Sequence, residues 1–130
     1  MIFVDSSVWI DYFNGRSTKQ TDLLDSLLGQ EPIIIGDLIL AEVLQGFRED
    51  EDFNQAMTLF DCLLFRPMLG KELAVKSAEN YRHLRKKGVT VTKTIDVMIA
   101  TFCMENNLPL LHNDKHFEPM VKHLKLETIT

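Results

Sequence analysis

At 130 residues the chain is long enough to bury one core and short for two. Its 45% hydrophobic and 25% charged residues are those of a folded globular domain, not a disordered one. A net charge of −5 argues against a broad basic face for sequence-independent nucleic-acid binding, though it leaves room for a local basic patch beside clustered acids. Cys62 and Cys103 are too few and too far apart for a disulfide framework or a zinc site, and read as reduced packing cysteines. The start MIFVDSSVW lacks the basic and long apolar regions of a secretory signal. The apolar stretch Leu38–Leu44 is too short to span a membrane, so the expected location is cytoplasmic.

In chain order, Ile2-Phe3-Val4 reads as a first strand ending in Asp5. Ser6 or Ser7 can cap a short helix through Phe13, with Gly15 as its stop. Leu23, Leu24, Leu27 and Leu28 share one face of a second helix. Pro32 to Ile35 is β-branched and apolar, hence a strand. Asp37 can cap a helix over Leu38–Phe47, apolar nearly all round and therefore expected to be buried.

Phe53, Ala56, Met57 and Phe60 recur at helical spacing and place a fourth helix at about Glu51–Cys62. Leu63-Leu64-Phe65 suits a short strand. A long amphipathic helix follows from Lys71 to Lys87, stopped by Gly88, and Thr94 can cap a further helix through Phe102. Pro109-Leu110-Leu111 is a buried strand, Asn113 or Asp114 starts a last helix, and Lys125–Ile129 suits an edge strand. Apolar strands alternating with helices imply a mostly parallel sheet covered on both sides, in one domain spanning 1–130. In such folds ligands gather outside the carboxyl ends of the strands.

Four acids stand out because each interrupts or closes an apolar segment: Asp5, Glu42, Asp96 and Asp114. Each has a structural explanation of its own. Asp5 suits a strand-to-helix turn, and Asp114 suits an N-cap. Asp96, in the first turn of its helix, gains roughly 0.3–1 kcal/mol from the helix dipole. Glu42 suits the one solvated stripe of its helix. Taken together they fall where a parallel sheet would bring them to one edge. Clustered carboxylates raise one another's pKa values, and a divalent cation relieves that repulsion. All-oxygen ligation suits Mg²⁺ or Mn²⁺, and such sites activate water for attack on phosphodiesters.

Other residues carry weaker signals. Arg82, Arg85, Lys86 and Lys87 cluster at the end of the long helix, and Lys93 lies just before Thr94. Favourable interaction with the helix dipole explains the cluster, and phosphate contact is the functional alternative. His112 and His116 are spaced i, i+4, but a strand-to-helix turn separates them, which weakens a zinc reading. Trp9 and Phe13 fit core packing, with base stacking or dimer contact as the alternative.

The opening Ile2-Phe3-Val4-Asp5-Ser6-Ser7-Val8-Trp9-Ile10, the helix Leu40-Ala41-Glu42-Val43, Thr94-Ile95-Asp96 with Ile99-Ala100, and Leu111-His112-Asn113-Asp114 with Phe117 form an ordered set across the chain. In that order and spacing the chain resembles the PIN-domain ribonucleases, and among them the VapC-type toxins of bacterial toxin–antitoxin pairs. The resemblance implies an α/β/α sandwich in which Asp5, Glu42, Asp96 and Asp114 bind Mg²⁺ or Mn²⁺, supported by Ser6. It implies endoribonuclease activity on an RNA substrate, a cognate VapB-type antitoxin whose tail blocks the acidic pocket, and a homodimer. Arg85, Lys86, Lys87, Lys93 and His116 are then the candidates for RNA contact. His116 stands where the family often carries a further acid, so it could touch a phosphate or a metal-bound water.

Two other classes compete. A Mg²⁺-dependent phosphatase or phosphoacceptor domain also opens with a strand ending in Asp. A haloacid-dehalogenase-like enzyme needs a second Asp at the position of Ser7, and a receiver-like domain needs paired acids that are absent. A non-catalytic partner-binding module would not need four intact acids. No G-x-G-x-x-G appears, which argues against a dinucleotide-binding domain.

Overall fold

A computed structural model describes residues 1–129 of the chain. The sheet has the strand order β3-β2-β1-β4-β5, and every pairing is parallel. Its strands are β1 (Ile2–Val4), β2 (Ile33–Gly36), β3 (Leu64–Arg66), β4 (Leu110–Leu111) and β5 (Thr128–Ile129). Phe3 pairs with Ile34 on one side and Leu110 on the other, so β1 lies at the centre. The chain runs from β1 outward to β2 and β3, then returns to place β4 on β1's other flank. The order therefore reverses beside β1, the position at which open parallel sheets form a crevice.

The helices are α1 (Ser6–Phe13), α2 (Lys19–Leu27), α3 (Asp37–Leu44), α4 (Asp50–Phe60), α5 (Lys71–Lys86), α6 (Thr94–Glu105) and α7 (Glu118–His123), the last preceded by a 3₁₀ turn over Lys115–Phe117. They form two groups. In one, α1 packs on α2 and α3, and α3 on α4; in the other, α5 packs on α6 and α7. This is the α/β/α architecture that the alternating apolar strands imply. No helix among the described residues is long and apolar enough to cross a membrane.

The core follows from the central strands. Ile2, Phe3, Val4, Ile33, Ile34, Ile35, Leu110 and Leu111 are all buried, as short parallel strands covered on both faces require. Phe3 meets Phe102 of α6 at 5.3 Å between ring centres. Trp9 is fully buried, stacked on Phe13 at 6.0 Å and edge-on to Phe60 at 5.1 Å. Trp9 is thus a core residue that locks α1 to α4.

Several local expectations needed correction. The first helix is capped by Asp5, not by Ser6 or Ser7: the Ser7 N–H donates to Asp5 Oδ2 at 3.0 Å. Thr94 does not cap α6; Lys93 stands at that position without a side-chain cap bond. α3 ends at Leu44, and it is not buried all round: only Ile39 and Val43 are buried, while Ala41 is exposed. Its length of two turns leaves the far side to solvent. Strand β3 is an edge, so Leu64 and Phe65 are exposed, not covered on both faces. Cys62 is exposed beside the end of α4, and only Cys103 serves the core. The final strand is shorter than Lys125–Ile129, because only Thr128 and Ile129 pair with β4.

Candidate active site

The site is built at the carboxyl ends of β1 and β4, where the strand order reverses. Asp5 leaves β1 directly. Its backbone N–H donates to the Leu111 carbonyl at 2.9 Å, tying the exit of β1 to that of β4. Its side chain is buried, with Oδ2 bound by the Ser7 N–H and Oδ1 lacking a partner among the described residues. Ser6, also buried, donates from Oγ to Glu42 Oε1 at 3.0 Å. That bond brings the first turn of α1 to the middle of α3 and aims Glu42 at Asp5.

The entry to α3 is held from elsewhere. Gly36 closes β2 where an added Cβ would run into the Met68 side chain and force it to move. Asp37 Oδ1 then accepts from the N–H groups of Leu38 (2.9 Å) and Met68 (3.0 Å), fixing the start of α3 to the loop after β3. Asp37 is therefore structural, while Glu42, further along, faces the crevice.

Asp96 lies in the first turn of α6 and is 4% exposed, with Oδ2 unpartnered among the described residues. Asp114 follows β4 and caps the 3₁₀ turn, its Oδ1 accepting from the His116 N–H at 2.9 Å. The same turn carries the His116 ring back over the acids. Its Nδ1 stands 2.9 Å from Asp114 Oδ1 and 4.0 Å from Asp96 Oδ2. Lys93 Nζ lies 3.8 Å from Asp114 Oδ2 and is the one lysine that pairs with this cluster among the described residues.

The electrostatics follow from burial and like charge. Burial pushes the Asp96 carboxyl up to about 6; Lys93 opposes the rise, and Asp114, Asp5 and Glu42 add to it. Burial likewise raises Asp5, against the Ser7 hydrogen bonds, with Asp114 adding repulsion. Glu42 is raised by burial, then lowered by the Ser6 hydroxyl, with Asp5 again repelling. His112, packed against Phe117 at 4.9 Å, is lowered by burial. The four acids thus sense one another across four segments separated in sequence. Carboxylate oxygens without partners, at raised pKa, in a buried crevice, form a donor set that fits a hard divalent cation. Asp96, Asp114 and His116 each offer a ligand atom within 4.8 Å of the others'.

Beside the acids opens a cavity of about 430 Å³ that includes Val91, Lys93, Asp96, His116, Pro119 and Met120 in its walls. Lys93 and His116 therefore stand where a chain passing the acids would meet them. Arg85, Lys86 and Lys87 are exposed at the end of α5 and do not line this cavity. Lys115, Lys122 and His123 do, and the sequence drew no attention to them. Ser7 was missed as well: its Oγ accepts from the Asn113 N–H at 3.1 Å, across 106 positions of chain, and steadies the loop that carries Asp114. No local signal marks such a bond.

A parallel sheet with acids gathered at its switch point defines a class: α/β/α domains with a carboxylate site suited to a divalent metal. The particular family follows from comparison. Residues 2–122 match the PIN domain family, and the chain belongs to it. It is 32% identical over 118 residues to Ribonuclease VapC1 of Methanocaldococcus jannaschii, covering 90% of this chain and 79% of that protein. It is 26% identical over 132 residues to Ribonuclease VapC11 of Mycobacterium tuberculosis, covering 98% and 96%. The fold is similar to that in the crystal structure of VapBC2 from Rickettsia felis bound to a promoter DNA fragment, with a TM-score of 0.78 at 19% identity over 99% and 98% of the two chains.

Proposed function

We propose that this protein is a divalent-metal-dependent endoribonuclease, the toxin of a VapBC-type toxin–antitoxin pair. The observation that carries the reading is the convergence of Asp5, Glu42, Asp96 and Asp114, with two buried carboxylate oxygens unpartnered, in a chain of the PIN family. The relatives' names, ribonucleases, supply the reaction class. A phosphatase reading lacks the second acid at Ser7, and a purely structural role leaves the unpartnered carboxylates unexplained.

The four acids would hold the ion, and an oxygen-rich set of this kind accepts either Mg²⁺ or Mn²⁺. Bound there, a divalent ion supplies Lewis-acid polarisation of the phosphate and a more acidic attacking water. The protein's own groups do the rest. Ser6 orients Glu42. Asp5 or Asp96 would accept a hydrogen bond from the attacking water and orient it towards phosphorus. Lys93 meets a non-bridging phosphate oxygen and offsets the charge that develops there. The adjoining cavity receives the RNA beside the scissile bond. Lys86 and Lys87 extend the path if the strand continues over the end of α5.

An antitoxin of the VapB type is the expected partner, and a homodimer the expected assembly. The reading is tested by incubating purified protein with RNA in Mg²⁺ or in chelator and analysing the product ends. Hydrolysis yields 5′-phosphate and 3′-hydroxyl ends, only with metal. A 2′,3′-cyclic phosphate would overturn the mechanism.

A further inference from the structure

The acids account for oxygen ligation, but not for the imidazole that joins them. His116 Nδ1 has no hydrogen-bond partner among the described residues, although Asp114 Oδ1 is only 2.9 Å away; the two atoms are close without hydrogen-bond alignment. Asp114 Oδ1 accepts the His116 backbone N–H and keeps a second lone pair for a ligand. His112 is engaged differently, its Nδ1 accepting from the Asp114 N–H at 3.2 Å. Two buried, unpartnered atoms from different elements, Asp96 Oδ2 and His116 Nδ1, therefore face the same small volume.

The spacings fit a shared ion. Ligand atoms around an octahedral cation with bonds of about 2.1 Å lie about 3.0 Å apart when adjacent and about 4.2 Å apart when opposite. The separations of His116 Nδ1 from Asp114 Oδ1 and from Asp96 Oδ2 are 2.9 and 4.0 Å. All three side chains can thus serve one ion with little movement.

Resting on the metal-site reading above, we infer that His116 is a nitrogen ligand that makes this a mixed carboxylate–imidazole site selective for Mn²⁺ over Mg²⁺. The chemistry follows from the donor. Mg²⁺ is hard, strongly hydrated and gains little from imidazole; Mn²⁺ is the weakest nitrogen binder of the first-row divalents, yet it dehydrates more readily and gains more than Mg²⁺ does. The turn itself is held through the His116 backbone N–H, so the side chain can be changed without releasing Asp114.

The test is binding, not turnover. Mn²⁺ and Mg²⁺ affinities are measured by calorimetry for the wild type, His116→Ala and His116→Gln, with thermal melts to establish folding. Loss of the imidazole should weaken Mn²⁺ by about tenfold or more and Mg²⁺ by less than about threefold. Pulsed electron paramagnetic resonance of the wild type with bound Mn²⁺ should show a directly coordinated histidine nitrogen that His116→Gln removes. The wild-type spectrum stands even if a variant fails to fold. An unchanged Mn²⁺/Mg²⁺ ratio, or no nitrogen coupling, overturns the inference. Asp96→Asn separates the two claims. If it abolishes Mn²⁺ binding while the His116 variants change nothing, His116 alone is wrongly assigned; if Mn²⁺ binding survives Asp96→Asn intact, the metal site itself falls.

Discussion

Asp96→Asn should stabilise the metal-free protein while destroying its response to metal. Asparagine keeps the size of the side chain and removes its charge. In the fold, burial and three neighbouring carboxylates push Asp96 from 3.8 to about 6. At 1.36 kcal/mol per pH unit this corresponds to at most about 3 kcal/mol held against the folded state at neutral pH. The helix dipole returns roughly 0.3–1 kcal/mol to a charge in the first turn, so the net gain from Asn is about 2 kcal/mol. For a domain of this size that is about 5–10 °C in Tm.

The pH dependence has a definite sign. The folded state binds the proton more tightly than the unfolded chain, so stability falls as pH rises from about 4 to about 6, and the loss is complete above that. Melts in chelator at pH 4 and pH 7 therefore carry the test. Wild type and Asp96→Asn should coincide at the lower pH and separate at the higher, with the variant more stable. Adding Mn²⁺ should then raise the wild-type Tm and leave the variant's unchanged. A variant less stable than wild type at pH 7 without metal would refute the claim that this carboxylate is held in place at a cost.

Other consequences follow from particular contacts. Ser6→Ala removes the hydrogen bond that aims Glu42 and should weaken metal binding by about 10–100-fold with Tm little changed, read by calorimetry; equal affinity would make Ser6 a bystander. Trp9→Ala empties the space between α1 and α4 and should cost about 3–5 kcal/mol in denaturant unfolding. A loss under about 1 kcal/mol would contradict its place in the core. Neutralising Lys86 and Lys87 should reduce the slope of log affinity for RNA against log salt by about 1 to 1.5 if both meet phosphates. An unchanged slope would take the end of α5 out of the RNA path and leave Lys93 beside the site.

How far the sequence revealed this site depends on how local each cause is. The strands around Phe3, Ile34 and Leu110 were legible because buried parallel strands need continuous apolar runs. The acids were legible as charges in awkward places, and their order carried the family resemblance. The cap of α1 was misjudged because Asp5, Ser6 and Ser7 are all good cap residues at successive positions, and the extended backbone that marks the cap falls at Asp5. The exposure of Leu64 and Phe65 depends on β3 being the edge of the sheet, which is a property of topology. The bond from Asn113 to Ser7 and the cavity walls at Lys115, Lys122 and His123 arise from segments distant in sequence, with no periodic pattern to announce them. His116 was visible as a residue out of pattern, but its approach to Asp96 requires the turn that Asp114 caps.

The most direct measurement pairs metal binding with RNA cleavage in one sample of purified protein, wild type against Asp5→Asn. Asp5 is buried at the end of the central strand, and its Oδ1 has no hydrogen-bond partner among the described residues. The wild type should bind Mn²⁺ and cleave RNA to 5′-phosphate products. Asp5→Asn, melting as a folded protein, should do neither. Cleavage undiminished by the substitution, or equally strong in chelator, would contradict the assignment of this acidic crevice as the active site.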